Sequence, residues 1–92
     1  MYEITFDKQA IEFLNRLPTG MKERIYHKII IAKTNPHHFF ERLKERKCYK
    51  LRVGDYRVIA DINERKIEIR LIGHRKNVYE PRNFKSLYTL IP

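Results

Sequence analysis

The segment YKLRVGDYRVIADI, residues 49–62, constrains the fold more than any other part of the chain. Apolar and polar residues alternate on both sides of a Gly-Asp step at residues 54–55, which is the pattern of two strands that each bury one face. A two-residue loop with glycine in first place is typical of a type II′ hairpin turn. That turn predicts a register in which Arg52 lies directly opposite Arg57.

This pair of arginines needs an explanation, because like charges directly opposite on a sheet destabilise it, by up to about 1 kcal/mol. The arrangement becomes favourable when an anion lies between the guanidinium groups, since arginine binds phosphate through planar, bidentate hydrogen bonds. Arg52 and Arg57 therefore predict an anion-binding surface. The pairing also predicts that Arg57→Ala leaves the fold intact or slightly more stable.

The residues before the hairpin predict a strand and two helices. Residues 2–6 alternate between apolar and polar, as in a short strand. Asp7 is a suitable cap for a first helix, which Pro18 ends. Thr19 is a suitable cap for a second helix with an apolar stripe at helical spacing. The charged connection that follows is expected to hold a helical turn around residues 40–43.

A third strand is predicted after the hairpin, with Ile67, Ile69 and Leu71 pointing inward. Three successive antiparallel strands with one solvated face form a meander, and the helices are expected to cover its apolar face. The predicted fold is a two-layer α+β domain of order βααβββ that spans residues 1–92. The apolar tail, residues 80–92, is expected either to dock as a final helix or to receive a partner.

The charge of the chain narrows the range of partners. The formal net charge is +9, with 20 Lys and Arg against 11 Asp and Glu. Most of the basic residues follow residue 40. This imbalance favours a polyanionic partner, either a nucleic acid or an acidic protein, over a role in solubility alone.

The sequence predicts a cytoplasmic protein without a metal. The first residues lack the basic start and apolar run of a signal peptide. No apolar stretch approaches the ~20 residues of a membrane span. Cys48 is the only cysteine, which fits a reducing compartment. His37 and His38 are adjacent in a loop without a Cys or carboxylate cluster to complete a metal site.

The candidate site combines the polar face of the hairpin with the segment that leaves the third strand. If that segment reaches the rim of the hairpin, its side chains and the hairpin cations form a cradle for a phosphate chain. From the residues alone, the strand cations can equally be solvated surface, and a tyrosine is more simply explained by packing. The candidate residues are Lys50, Arg52, Arg57, His74, Arg75 and Tyr79.

The order of a strand, a helical hairpin, YKLRVGDYRVIADI and then IEIRLIGHRKNVY resembles the RelE toxins of bacterial and archaeal type II toxin–antitoxin pairs, within the RelE/ParE superfamily. The resemblance covers roughly residues 2–79. It implies a ribosome-dependent, metal-independent endoribonuclease without a cofactor, which cuts mRNA in the A site of the 30S ribosomal subunit. It also implies a cognate RelB-like antitoxin as partner.

The same resemblance implies roles for the candidate residues. Arg57 matches the arginine of the YR pair, Arg75 the arginine after the last strand, and Tyr79 the tyrosine that follows. Lys50 and Arg52 match the cations on the strand before the hairpin. Because an arginine hardly gives up its proton, Lys50 is the better general base.

In this interpretation the 2′-OH of the RNA attacks the neighbouring phosphorus and leaves a 2′,3′-cyclic phosphate. The two hairpin arginines bind the extra negative charge. His74 is chemically a better proton donor than Arg75, provided that it points into the cradle.

Two other functions stay open at this point. A ParE-like toxin has the same fold but inhibits DNA gyrase without cutting RNA, and such members generally lack the full basic and tyrosine set. A non-catalytic nucleic-acid-binding module predicts salt-sensitive RNA binding without growth arrest.

Overall fold

A five-stranded sheet carries helices on one face in the computed structural model, which describes residues 2–43 and 47–78. The strand order is β1-β5-β4-β3-β2, with β1 parallel to β5 and the other neighbours antiparallel. The predicted α+β class is confirmed. The elements are β1 Glu3–Phe6, α1 Lys8–Arg16, α2 Thr19–Ala32, α3 Pro36–Phe39, β2 Glu41–Arg42, β3 Tyr49–Val53, β4 Tyr56–Asn63 and β5 Lys66–His74.

The β3–β4 hairpin has the predicted register, with Val53 opposite Tyr56 and Arg52 opposite Arg57. Gly54 has a φ of +60°, whereas the next residue of the loop has no positive φ. Both central residues of a type I′ turn have positive φ, so the loop is of type II′. The turn therefore places the two arginines on the same face of the sheet.

The main core lies between the sheet and the helices. The two long helices bury one stripe each, because their apolar residues recur about every three or four positions. The sheet contributes alternate residues of its three longest strands. The buried members are Ala10, Leu14, Ile25, Ile29, Ala32, Phe40, Leu51, Val53, Val58, Ala60, Ile67, Ile69 and Ile72.

A β-bulge interrupts the alternation between β4 and β5. Ile59 pairs with Leu71 and Ala60 pairs with Ile69, so Arg70 is an extra residue on β5. The bulge turns Leu71 away from the helices and moves the next residue into the main core. The prediction that Leu71 points to the same side as Ile69 was therefore wrong.

A second apolar cluster covers part of the sheet face opposite the helices. Leu71 and Ile59 pack there with Cys48 and Val78, and all four are buried. Leu43 packs against them. The face predicted to be solvated is thus partly covered by the segments that precede β3 and follow β5.

One of the two predicted helix caps lies at the observed position, and the other does not. Asp7 occupies the cap position of α1, but its side chain makes no capping hydrogen bond. Pro18 is the cap residue of α2, and Thr19 is the first residue of that helix. Proline is well suited to the start of a helix because it has no N–H to leave unpaired.

The connection after α2 also differs from its prediction. The helical turn lies at Pro36–Phe39 rather than at residues 40–43, because Pro36 sets the backbone for a first helical position. Residues 41–42 instead pair with β3. The tail at residues 80–92 and Tyr79 lie outside the described residues. Among the described helices, none offers an apolar run of the length that a bilayer requires.

Arg70, the extra residue of the bulge, connects three parts of the structure. Its Nε donates to Asp7 Oδ2 and its Nη1 donates to Asp61 Oδ2, both at 2.7 Å. Burial by itself lowers the pKa of Arg70, but the hydrogen bonds and charges of the two carboxylates outweigh burial and raise it. The network joins the β1–α1 junction to β4 and β5.

Arg70→Ala is expected to lower the free energy of unfolding by about 2–3 kcal/mol, because it leaves two partly buried carboxylates without their shared cation. Urea denaturation measures the change. Arg65→Ala removes the same charge from the exposed β4–β5 turn and is expected to cost less than about 0.5 kcal/mol. An equal decrease in the free energy of unfolding in the two variants would contradict a structural role for the network.

Gly54→Ala is expected to cost about 1–2 kcal/mol, because φ is +60° and L-residues are strained there. An added Cβ would also lie 3.3 Å from Arg24 Nη1. Gly20→Ala is the matched control, since nothing lies within 4 Å of a Cβ added in that helical position. This control is expected to gain up to about 1 kcal/mol from helix propensity. A Gly54→Ala variant as stable as the parent would contradict the assignment of the turn.

Candidate anion-binding site

Three of the predicted cations lie on the sheet face opposite the helices. Lys50 and Arg52 flank the buried Leu51 on β3, so their side chains point away from the main core. Arg57 is directly opposite Arg52 on β4 and pairs on its other side with Gly73 of β5. We call Lys50, Arg52 and Arg57 the basic face.

Arg57 is held in place by the turn beside it. Its side chain is largely buried, and the residue is only 8% exposed. Nη1 donates to the carbonyl oxygens of Gly54 at 2.8 Å and Tyr56 at 2.9 Å. Nε and Nη2 form no hydrogen bond with any residue that the structure describes. One nitrogen thus fixes the guanidinium, and the others stay available to an anion.

These two hydrogen bonds change the expectation for Arg57. Each intramolecular hydrogen bond contributes about 1 kcal/mol net, and both would be lost on truncation. The stability that these bonds contribute opposes the repulsion between Arg52 and Arg57. Arg52 is exposed, so solvent partly screens this repulsion. Arg57→Ala is therefore expected to destabilise the protein, contrary to the expectation from charge pairing alone.

The glycine opposite Arg57 lets the chain fold back over β5. A Cβ added to Gly73 would lie 3.1 Å from Val78 Cβ, closer than nearly all real contacts. The N–H groups of Asn77 and Val78 both donate to the carbonyl oxygen of His74 at 2.9 Å, which closes the turn. The segment after β5 thus returns to the face that carries Arg57. Sequence reasoning did not assign this role to Gly73, although a glycine near a strand end is the available signal.

Arg75 lies at the rim of the basic face, beside the hairpin turn. Its backbone N–H donates to Asp55 O at 2.7 Å, and its Nε is 3.5 Å from Asp55 Oδ1. Both side chains are more than half exposed. An exposed ion pair of this kind contributes at most about 1 kcal/mol, so an incoming anion can compete for Arg75.

Lys50 has a partner that the sequence did not reveal. Glu41 on β2 lies directly across from it, with 3.5 Å between Lys50 Nζ and Glu41 Oε1. Glu41 is mostly exposed, whereas Lys50 is largely covered. A strand of two residues carries too little alternation to be recognised, so this pairing has no sequence signal.

His74 is not brought together with the basic face. It pairs with Tyr56, whose ring packs against the main core, and the two ring centroids are 5.6 Å apart. His74 therefore lies on the helix side of the sheet. Its Nδ1 accepts a hydrogen bond from the N–H of Lys76 at 3.1 Å. Tyr79, the remaining predicted residue, is outside the described part of the chain.

The charges of this surface are unevenly neutralised. Lys50, Arg70 and Arg75 each lie against a carboxylate. Within residues 2–43 and 47–78, Arg52 and Arg57 form no ion pair. At the centre of the basic face, positive charge thus lacks a compensating side chain among the described residues, as expected of an anion-binding site.

A family model and the solved structures place the protein in one superfamily of toxins. The model of the ParE toxin of type II toxin–antitoxin systems (parDE) matches residues 4–79. The structure is similar to the RelBE2 toxin–antitoxin complex from Mycobacterium tuberculosis, with a TM-score of 0.74 and 20% identity over 80% of this chain and 98% of that one. It is also similar to the archaeal RelE–RelB complex from Pyrococcus horikoshii OT3, with a TM-score of 0.69 and 27% identity over 83% and 97% of the two chains.

The isolated E. coli RelE toxin has a TM-score of 0.69 and 21% identity over 95% of this chain and 100% of that one. Comparison with curated proteins gives no match. Because the family model spans most of the sequence, the protein belongs to the RelE/ParE superfamily and is a toxin of a type II toxin–antitoxin system.

Proposed function

We propose that the protein is a ribosome-dependent, metal-independent endoribonuclease that cuts mRNA in the A site of the 30S ribosomal subunit. The observation that carries this proposal is the pair of Arg52 and Arg57, which face each other on the sheet without a carboxylate partner among the described residues. Such a pair suits a phosphate that gains negative charge during reaction. If the two arginines belonged only to a solvated surface, nothing would favour placing their like charges opposite each other.

In the proposed reaction the 2′-oxygen forms a bond to the neighbouring phosphorus while the bond to the 5′-oxygen breaks. The products are a 2′,3′-cyclic phosphate and a 5′-hydroxyl, and the departing 5′-oxygen takes its proton from solvent. Arg57 offers Nε and Nη2 to the non-bridging oxygens, and Arg52 approaches from the opposite strand. Because Arg57 is already fixed by the turn, little reorganisation is needed when the charge develops.

Lys50 is the proposed acceptor of the 2′-OH proton. In the structure it is the cation of an ion pair with Glu41, so it must leave Glu41 and lose its own proton before it can act as a base. The exposed carboxylate makes that separation inexpensive, since such pairs contribute at most about 1 kcal/mol. The base assignment therefore depends on a rearrangement at the β2–β3 edge.

The other predicted residues take revised roles. His74 lies across the sheet from the basic face, so we remove it from the proposed proton path. Arg75 stays at the rim as a phosphate ligand rather than a proton donor, since an arginine holds its proton too tightly. The role of Tyr79, stacking on the base beside the cleaved bond, is proposed from the family motif.

The proposed dependence on the ribosome follows because the lysine and arginine side chains of the site are weak acid–base catalysts. Positioned acid–base catalysis typically contributes about 100- to 10,000-fold, and lysine and arginine are poor at it near neutral pH. Precise placement of the RNA by the ribosome would supply the missing rate. We also propose a cytoplasmic location and a RelB-like antitoxin as partner, in keeping with the net charge of +9 and with the RelE–RelB complexes among the structural relatives.

A ParE-like function is the second candidate. The matching family model is that of the ParE toxin of type II toxin–antitoxin systems. The resemblance to ParE-like toxins implies inhibition of DNA gyrase without RNA cleavage. Inducible expression followed by primer extension on a translated message distinguishes the two functions. Cleavage within codons supports the first proposal, whereas an intact message together with inhibited DNA supercoiling supports the second.

Arg52→Ala is expected to relieve growth arrest and to reduce message cleavage at least tenfold without lowering the thermal midpoint. Arg52 is exposed, so its loss should not disturb packing. The measurements are colony growth, primer extension and a thermal melt. Arg65→Ala removes one charge from the far end of the sheet and should leave growth arrest intact. Equal relief by both variants would indicate an effect of net charge and contradict the assignment.

Arg57→Ala is expected to abolish cleavage and also to cost about 1–2 kcal/mol, because it removes the two bonds to the turn. Arg57→Lys tests whether the planar guanidinium matters, since an ammonium cannot give the same bidentate contact. We expect it to retain less than about one tenth of the activity, which corresponds to at least ~1.4 kcal/mol. Full activity of Arg57→Lys would contradict the proposed phosphate contact.

A further inference from the structure

A second group of basic residues lines a cleft between α2 and the hairpin. Three of them come from α2 at positions 24, 27 and 28, which lie on one side of the helix. The cavity has a volume of about 190 Å³. We call it the α2–β3 cleft, and its lining residues are Arg24, His27, Lys28, Arg52, Val53 and Gly54.

The cleft is open because β2 is short. β2 pairs only with Tyr49 and Lys50, so no strand among residues 2–43 and 47–78 covers the edge of β3 from residue 51 to residue 53. Gly54 adds to the space, because it has no side chain. A Cβ added there would lie 3.3 Å from Nη1 and 3.5 Å from Nη2 of Arg24. The glycine that forms the turn thus also makes room for a guanidinium from α2.

The cleft gathers positive charge that the described residues do not neutralise. Arg24, His27 and Lys28 form no ion pair within the part of the chain that the structure describes. Lys28 lines the cleft, and its Nζ lies 6.0 Å from the centre of the Phe39 ring. Cations gathered in this way repel each other, and a bound anion removes that cost.

The size and position of the cleft indicate which anion it takes. Its volume is below the ~300 Å³ typical of small-molecule pockets, so it suits a single charged group rather than a whole nucleotide. Arg52 lines the cleft and also belongs to the basic face, so the two sites meet at the edge of β3. A strand of RNA carries a phosphate at every nucleotide and can therefore occupy neighbouring anion sites together.

We propose that the α2–β3 cleft binds a backbone phosphate of single-stranded RNA, beside the phosphate that occupies the basic face. The choice of RNA as the ligand rests on the proposed function. The existence of an anion site rests only on the geometry of α2 and β3. The cleft would fix the direction and register of the strand, while Arg52 and Arg57 act on the phosphate that reacts.

The test compares two double variants that lose the same charge. R24Q/K28Q alters the cleft, and R65Q/K66Q alters the exposed far end of the sheet. The probe is a short single-stranded RNA with 2′-O-methyl sugars, which lacks the attacking hydroxyl. Its Kd is measured at several salt concentrations without ribosomes. Thermal melts verify that both variants are folded.

R24Q/K28Q is expected to weaken RNA binding at least tenfold at low salt. The slope of log affinity against log salt should fall by about 0.7, because the variant loses its contact with one phosphate of the single-stranded RNA. R65Q/K66Q should leave the slope unchanged. R24K/K28R keeps both charges, so it should bind RNA within about threefold of the parent protein, as expected for contacts dominated by charge.

Three results would overturn the inference. The first is an equal loss of RNA affinity in R24Q/K28Q and R65Q/K66Q. The second is unchanged RNA binding by R24Q/K28Q, and the third is no RNA binding by the parent protein at low salt. If R24Q/K28Q binds RNA normally but no longer binds a poly-glutamate peptide that the parent protein binds, the cleft binds an acidic protein. The assignment to RNA is then wrong.

The outcomes also separate this inference from the proposed function. Salt-dependent binding through the cleft without cleavage on the ribosome would support the cleft and contradict the proposed endonuclease. Normal message cleavage by R24Q/K28Q with unchanged RNA binding would contradict the cleft and leave the endonuclease intact.

Discussion

The register of the β3–β4 hairpin is the constraint on which the rest of the structure depends. The type II′ turn at Gly54 sets which residues face each other, and burial of Leu51 and Val58 sets which face meets the helices. Burying such side chains contributes about 1.5–3 kcal/mol each. A slip of one residue would expose both and would turn Arg57 toward the core. Stability and the position of the basic face therefore have the same cause.

The described cations fall into two classes according to whether the chain itself neutralises them. Arg70 lies between Asp7 and Asp61, and its charge joins separate elements. Arg57 is fixed equally well, but by the carbonyl oxygens of a turn, which orient a guanidinium without cancelling its charge. This difference gives a physical reason to assign Arg70 to the fold and Arg57 to anion binding.

In a simple meander one face of the sheet is apolar and the other is solvated. Here the face away from the helices also carries buried apolar residues. The bulge at Arg70 moves Leu71 to the face away from the helices, where it helps to seat Val78 over Gly73. This small cluster anchors the segment that follows β5 next to Arg57. Arg70, at the bulge itself, donates hydrogen bonds to two carboxylates. One extra residue therefore serves both the stability of the sheet and the shape of the site.

The sequence by itself determined the α+β class, the hairpin register and the facing of Arg52 and Arg57, because alternation and turn chemistry act between residues that are close along the chain. Only the tertiary structure decided the bulge, the ion pair of Lys50 with Glu41 and the placement of His74 on the helix side. These features depend on contacts between segments that are distant in sequence or on a single extra residue, neither of which leaves a periodic signal.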